Sequence, residues 1–201
     1  MADIATLFVT KLYRAALEDA AALNPDLLRS CRAIAADDAA GQAWSKAKSY
    51  RGYTSYASLD DLPKRDPTIA ALAKQLDKHA AAFAKALHLD LARKLKLDSI
   101  WINVLDSGGA HTGHIHPHSV LSGTYYVDVP PNASALKLED PRHPLMMAAP
   151  PRADDAPESE RTFVYVAPKA GEVLMWESFV RHEVPANAAK KPRVSISFNY
   201  S

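Results

Sequence analysis

Arg193-Val-Ser-Ile-Ser-Phe-Asn-Tyr200 (RVSISFNY) is the stretch on which the fold turns. Arg193, Ser195, Ser197 and Asn199 alternate with Val194, Ile196, Phe198 and Tyr200. Successive side chains of a strand point to opposite faces, so this segment has one polar and one apolar side. Working backward, short β-type runs occur at Glu172–Trp176, Arg161–Ala167, Ala135–Glu139, Leu121–Val129 and Ser99–Leu105. Pro, Gly and Asn punctuate them, the pattern of a sandwich or barrel. Were helices to cover the apolar side of residues 193–200, the polar side would line the mouth of that barrel. Without such cover it would face solvent.

The first half has a different texture. It is rich in alanine and predicts helices. Asn24-Pro25 offers a cap and a first helical residue ahead of Leu27, Leu28, Cys31, Ile34 and Ala35. Asp66-Pro67 offers the same ahead of Ile69, Leu72, Ala73, Leu76, Ala80, Phe83, Ala84 and Leu87, spaced as one helical face. Between them, Tyr50–Tyr56 (YRGYTSY) is a strand or an extended loop. The expected architecture is mainly β with α: one domain over 1–201, with a mostly helical flank at 1–98 on the outside of a β core at 99–201. Pro141–Glu160 is proline-rich and polar, a long loop that would serve as a cover.

Composition bounds the function. With 201 residues, a chain of this kind buries roughly 70% of its unfolded surface. The 24 basic and 23 acidic side chains give no broad cationic field for nucleic acid or anionic lipid. No apolar run approaches the roughly 20 residues of a membrane helix. Met1 leads into Ala2-Asp3-Ile4 without a basic-then-apolar leader, and Cys31 is the single cysteine. The expectation is a soluble cytoplasmic protein without disulfides. Its oligomeric state is open, a homodimer included.

Chemistry concentrates in His111-Thr-Gly-His-Ile-His-Pro-His118, which holds four of the eight histidines. On an extended segment His114 and His116 share a face, where two imidazoles can bind one metal. His182 follows Val173–Trp176, and Arg193 comes eleven residues later. His111 and His118 read as loop residues, and His79, His88 and His143 need no functional account. Trp101, Trp176 and Phe179 read as packing residues. Tyr125 and Tyr126, being adjacent, face opposite ways.

The order His-x-His, His, Arg-x-Ser resembles the non-haem iron, 2-oxoglutarate-dependent oxygenases built on a double-stranded β-helix (a jelly-roll or cupin-like core). Within them it resembles a bacterial and phage group of 2OG-Fe(II) oxygenases. The resemblance is carried by Trp101-Ile-Asn103, Gly108-Gly109, His114-Ile-His-Pro117 and Leu121–Val127. It continues through Asp140-Pro-Arg142, Pro168-x-x-Gly171, His182-x-Val184 and Arg193–Asn199, and more loosely covers Arg51–Ser55.

That resemblance implies an enzyme using Fe(II), 2-oxoglutarate as co-substrate and dioxygen to hydroxylate a substrate, with release of succinate and CO2. It implies His114 and His182 as metal ligands. Arg193 would anchor the far carboxylate of 2-oxoglutarate, with Ser195 as its hydroxyl partner and Tyr126 as a second. Asn103 and Ser122 would belong to the same polar lining. One departure stands out: His116 occupies the position where the usual triad has a carboxylate. Either His116 is the third ligand, or a carboxylate such as Asp106 or Asp140 replaces it. Halogenation is disfavoured, because a histidine fills the space a halide would need. Two other readings of these residues stay open. One is a three-histidine cupin-like dioxygenase without 2-oxoglutarate, in which Arg193 binds a substrate carboxylate. The other is a non-catalytic, metal-stabilised binding module. Ligand imidazoles must be unprotonated, so metal affinity is expected to fall as pH drops through about 6.5. No motif names the substrate.

Overall fold

Every strand pairing in the chain is antiparallel. The computed structural model describes residues 1–201. Six strands form one sheet in the order β1 (Tyr13–Ala16), β8 (Glu172–Glu177), β5 (Leu121–Asp128), β10 (Arg193–Tyr200), β3 (Leu97–Leu105) and β2 (Gly52–Thr54). Four form a second, in the order β4 (His111–His114), β9 (His182–Val184), β6 (Leu136–Glu139) and β7 (Phe163–Val166). This is the jelly-roll arrangement of a double-stranded β-helix.

The alternation along β10 now has a physical meaning on both sides. Val194, Ile196, Phe198 and Tyr200 lie in a cluster with Ile100, Ile102, Tyr125, Val173 and Met175. Two helices close over it. α1 (Ala20–Asp37) contributes Leu27 and Cys31, and α4 (Pro67–Ala86) contributes Ile69, Leu72, Leu76 and Phe83. Truncating one such buried leucine to alanine costs about 2–5 kcal/mol. With its apolar face covered by helices, β10 turns its polar face toward the interior between the sheets. A smaller cluster fills that interior: Leu105, Tyr126, Leu136, Val166, Leu174, Trp176, Val180 and Val184. The neighbours Tyr125 and Tyr126 divide between the two clusters, and both are buried.

Register does the rest. β10 sits between β3 and β5, and Ser195 lies opposite Asn103 on one side and Tyr126 on the other. Residues directly opposite in a sheet present their side chains on the same face. Segments far apart in the sequence are thereby lined up beside Arg193.

Several sequence expectations change. α1 begins at Ala20, so Asn24-Pro25 lies inside it rather than at its start. Asn24 instead accepts a hydrogen bond from the Tyr125 hydroxyl, tying α1 to the sheet. Asp66-Pro67 does start a helix: the Asp66 carboxylate accepts from the N–H groups of Thr68 and Ile69. The first half also contains α2 (Ala39–Ala47) and α3 (Leu62–Arg65), yet it is not all helix. β1 pairs with β8, and β2, within Tyr50–Tyr56, pairs with β3. Gly52 makes that second pairing possible. Its φ is +122°, and a Cβ there would lie 2.0 Å from the Val104 carbonyl oxygen. Residues 141–160 connect β6 to β7 with only short 3-10 turns, and Phe179 is 53% exposed rather than packed.

Candidate active site

The site begins with a cross-strand pair. β4 and β9 are paired so that His114 stands opposite His182, and their ring centroids are 4.3 Å apart. His116 lies just past the end of β4, not within an extended run shared with His114. A turn returns it to the same place. Its backbone N–H donates to the Ser178 carbonyl at 3.0 Å, and its own carbonyl accepts from Ser119. The His116 ring centroid is 5.0 Å from that of His114 and 5.2 Å from that of His182. One nitrogen from each of the three falls within 4.8 Å of the others.

The donor set fits a metal ion. Nδ1 of His114 donates to the Thr112 carbonyl at 2.7 Å, and Nδ1 of His182 donates to the Val180 carbonyl at 3.0 Å. In both, a carbonyl two residues earlier holds the Nδ1 proton and leaves Nε2 with a free lone pair. Burial pushes His182 down to about 3 and His116 to about 4, with His114 adding to each shift. Both rings are therefore neutral at pH 7, the form that binds a metal. Neither alternative carboxylate joins them. Asp106 is exposed after β3, and Asp140 is engaged by the Arg142 guanidinium.

The histidines open into a cavity of about 430 Å³. Arg193 lies across it, 2% exposed, with its guanidinium carbon 5.6 Å from the centroid of the Tyr126 ring. Nη1 donates to the Ser134 carbonyl at 2.9 Å, while the buried Nε has no partner. Desolvation pulls the guanidinium pKa down. No aspartate or glutamate lines the cavity, so nothing in the protein neutralises this cation. A buried, unpaired guanidinium with a free donor suits a carboxylate arriving with a ligand.

Ser195, Tyr126 and Asn103 line the same cavity. Asn103 is already committed, accepting from Thr54 Oγ1 at 2.9 Å and donating to Ser197 Oγ at 3.1 Å. Ser122 is a correction. It does not line the cavity but lies behind it, bonded to Ser178 and Asn199. His111 is another. It belongs to β4, lines the cavity and meets the Tyr50 hydroxyl at 3.0 Å. Burial, with Arg193 nearby, pushes it down to about 3. Tyr50, Trp44, Thr54 and Tyr56 were not anticipated as lining residues. Tyr50, Thr54 and Tyr56 fall in the aromatic-spaced YRGYTSY segment, whereas Trp44 comes from α2 and had no such signal. No residue of 141–160 lines the cavity in this structure.

Residues 99–199 match the family described as "Putative 2OG-Fe(II) oxygenase". The chain belongs to this family. As a 2OG-Fe(II) oxygenase it is an oxidoreductase whose cofactors are Fe(II) and 2-oxoglutarate. No curated protein matches it. Among solved structures, it is similar to SnoN, the non-haem α-ketoglutarate-dependent epimerase from nogalamycin biosynthesis. Identity there is 16%, covering 94% of this chain and 75% of that one, with a TM-score of 0.65. SnoN in complex with Fe3+, α-ketoglutarate and nogalamycin RO gives 17% identity, 94% and 78% coverage and a TM-score of 0.62. A Pseudomonas putida prolyl-4-hydroxylase gives 16% identity, 95% and 92% coverage and a TM-score of 0.58. At these identities the likeness concerns the fold. No helix of the chain is long and apolar enough to cross a membrane.

Proposed function

We propose that this 2OG-Fe(II) oxygenase hydroxylates a C–H bond of a small organic substrate, with His114, His116 and His182 as the three protein ligands of its iron. The observation that carries the reading is a single cavity holding both three convergent imidazoles and a buried, unpaired guanidinium. When bound, iron and 2-oxoglutarate together activate dioxygen, forming succinate and CO2 and delivering one oxygen atom to the substrate.

The residues of the chain have separable tasks. His114 and His182 present fixed lone pairs from paired strands, and His116 supplies the third. Three neutral imidazoles leave a ferrous site at +2, a charge that the 2-oxoglutarate dianion balances. Arg193, with Ser195 and Tyr126 in the same cavity, would hold the far carboxylate of 2-oxoglutarate and so orient the co-substrate. Trp101, Tyr56, Trp44 and Ile115 supply apolar wall for the substrate. The lining contains no carboxylate, which favours a neutral or anionic substrate over a cationic one.

The test is an anaerobically reconstituted Fe(II) protein mixed with oxygen and 2-oxoglutarate, with succinate measured by mass spectrometry. Succinate formation that stops with Arg193→Ala supports the reading. Metal-dependent oxygen uptake indifferent to 2-oxoglutarate would point to a three-histidine dioxygenase instead. Metal-dependent stabilisation without any turnover would point to a binding module.

A further inference from the structure

His116 differs from the other two histidines in what holds it. His114 and His182 each give Nδ1–H to a backbone carbonyl, which can only accept. Nδ1 of His116 instead faces the side-chain amide of Asn199, 3.4 Å from Nδ2. An amide presents either an acceptor or a donor, and the two ends differ only by a half-turn of the group. The choice matters. A donating NH2 would leave the proton of neutral His116 on Nε2 and block that atom as a ligand. A facing Oδ1 would hold the proton on Nδ1 and free Nε2 for the metal.

The other partners of Asn199 permit either choice. Nδ2 lies 3.0 Å from Ser99 Oγ, and Oδ1 lies 2.8 Å from Ser122 Oγ, which is itself 2.7 Å from Ser178 Oγ. All three are hydroxyls, able to donate or accept. With the amide turned, Ser99 donates to Oδ1, Nδ2 donates to Ser122, and Ser122 donates to Ser178. No buried group loses its partner. Asn199 is 5% exposed, and Ser122 and Ser178 are each 1% exposed, so water does not replace the bonds among these three. Ser178 also holds the His116 backbone through its carbonyl, so one small network fixes both main chain and ring.

Resting on the metal site proposed above, we infer that Asn199 is the positioning residue for His116. Its Oδ1 accepts Nδ1–H in the metal-loaded protein, an orientation that the Ser99, Ser122 and Ser178 hydroxyls accommodate by turning their own protons. The backbone performs this task for the other two ligands. Here a side chain performs it, at the position where a histidine replaces the usual carboxylate.

Long-range proton–nitrogen NMR on Zn(II)-loaded protein, with His116 assigned by comparison with His116→Gln, reads the tautomer directly. The expected spectrum shows His116 protonated at Nδ1 and metal-bound at Nε2. A proton on Nε2 would overturn the inference. Co(II) titrations then compare two variants. Asn199→Leu should weaken binding about 10- to 100-fold. Asn199→Asp, which keeps an acceptor of the same shape, should restore wild-type affinity. Wild-type affinity in Asn199→Leu, or equal losses in both variants, would contradict the inference while leaving the metal site intact. Wild-type protein that binds neither Zn(II) nor Co(II) would remove the metal site itself. Should Asn199→Leu fail to fold, the NMR result and the aspartate variant decide.

Discussion

Replacing Arg193 with methionine should make the protein more stable and poorer at its task. The guanidinium is 2% exposed, has no carboxylate in its cavity and leaves Nε unpartnered. Burying an ion costs several kcal/mol unless a partner compensates, and breaking a buried pair costs about 3–5 kcal/mol. Without 2-oxoglutarate the wild-type protein carries that unpaired charge. Methionine removes it and fills much of the same space. The change forfeits the bond to the Ser134 carbonyl, worth about 1 kcal/mol. A net gain of about 1–3 kcal/mol follows for the ligand-free protein. For a chain of this length each kcal/mol moves Tm by about 2–4 °C. Binding should move the other way. Losing the cation that receives a buried carboxylate should weaken 2-oxoglutarate by about two to three and a half orders of magnitude. Differential scanning calorimetry measures the first effect, and isothermal titration of 2-oxoglutarate into Ni(II)-loaded protein measures the second. A variant that binds 2-oxoglutarate within a factor of about three of wild type, under 1 kcal/mol, would show that Arg193 does not receive its carboxylate.

Other substitutions separate the site from the scaffold. His182→Ala should abolish Fe(II) binding while retaining the far-ultraviolet circular dichroism of the fold; normal metal uptake would remove the ligand assignment. Asp66→Ala should lower stability by about 1 kcal/mol through loss of the α4 cap, with metal affinity unchanged, as urea denaturation and Co(II) titration would show. His111, His116 and His182 have folded pKa values of about 3, 4 and 3, below the unfolded value of about 6.5. Below pH 6.5 the unfolded chain takes up protons that the native state refuses. Stability of the metal-free protein should therefore be full above that pH and fall toward pH 4, by up to about 1.4 kcal/mol per pH unit per group. For the same reason the share of metal affinity that rests on His116 and His182 should persist to near pH 4. Urea denaturation of metal-free protein across pH checks the sign.

The parts of this architecture legible in sequence are those fixed by short-range periodicity. The two faces of β10 need only alternation, and the heptad-like spacing from Ile69 to Leu87 needs only a helix to bury it. The Asp66 cap is equally local. Asn24-Pro25 looked the same and was not a start, because packing decided: Tyr125 takes the Asn24 side chain, and the helix extends back to Ala20. β1 is hidden for a related reason, whereas the Tyr50–Tyr56 segment that holds β2 already reads as a strand or an extended loop. Tyr13-Arg-Ala-Ala16 has little strand character of its own and is a strand because β8 offers it an edge. At the site, the meeting of His114 with His182 depends on a pairing across 68 positions of sequence, which no local pattern encodes. The resemblance of the whole motif order supplied it. His111 read as loop because the register between it and His114 is irregular, which breaks the alternation. Ser122 read as cavity lining on the same resemblance, whereas the fold turns it toward Ser178 and Asn199.

A crystal grown without oxygen, soaked with Mn(II) and 2-oxoglutarate and measured at the manganese anomalous edge, tests the whole arrangement at once. The structure predicts one anomalous peak coordinated by nitrogens of His114, His116 and His182, chelated by 2-oxoglutarate whose far carboxylate lies on Arg193. A peak that leaves out His182, or a 2-oxoglutarate bound away from Arg193, would contradict it.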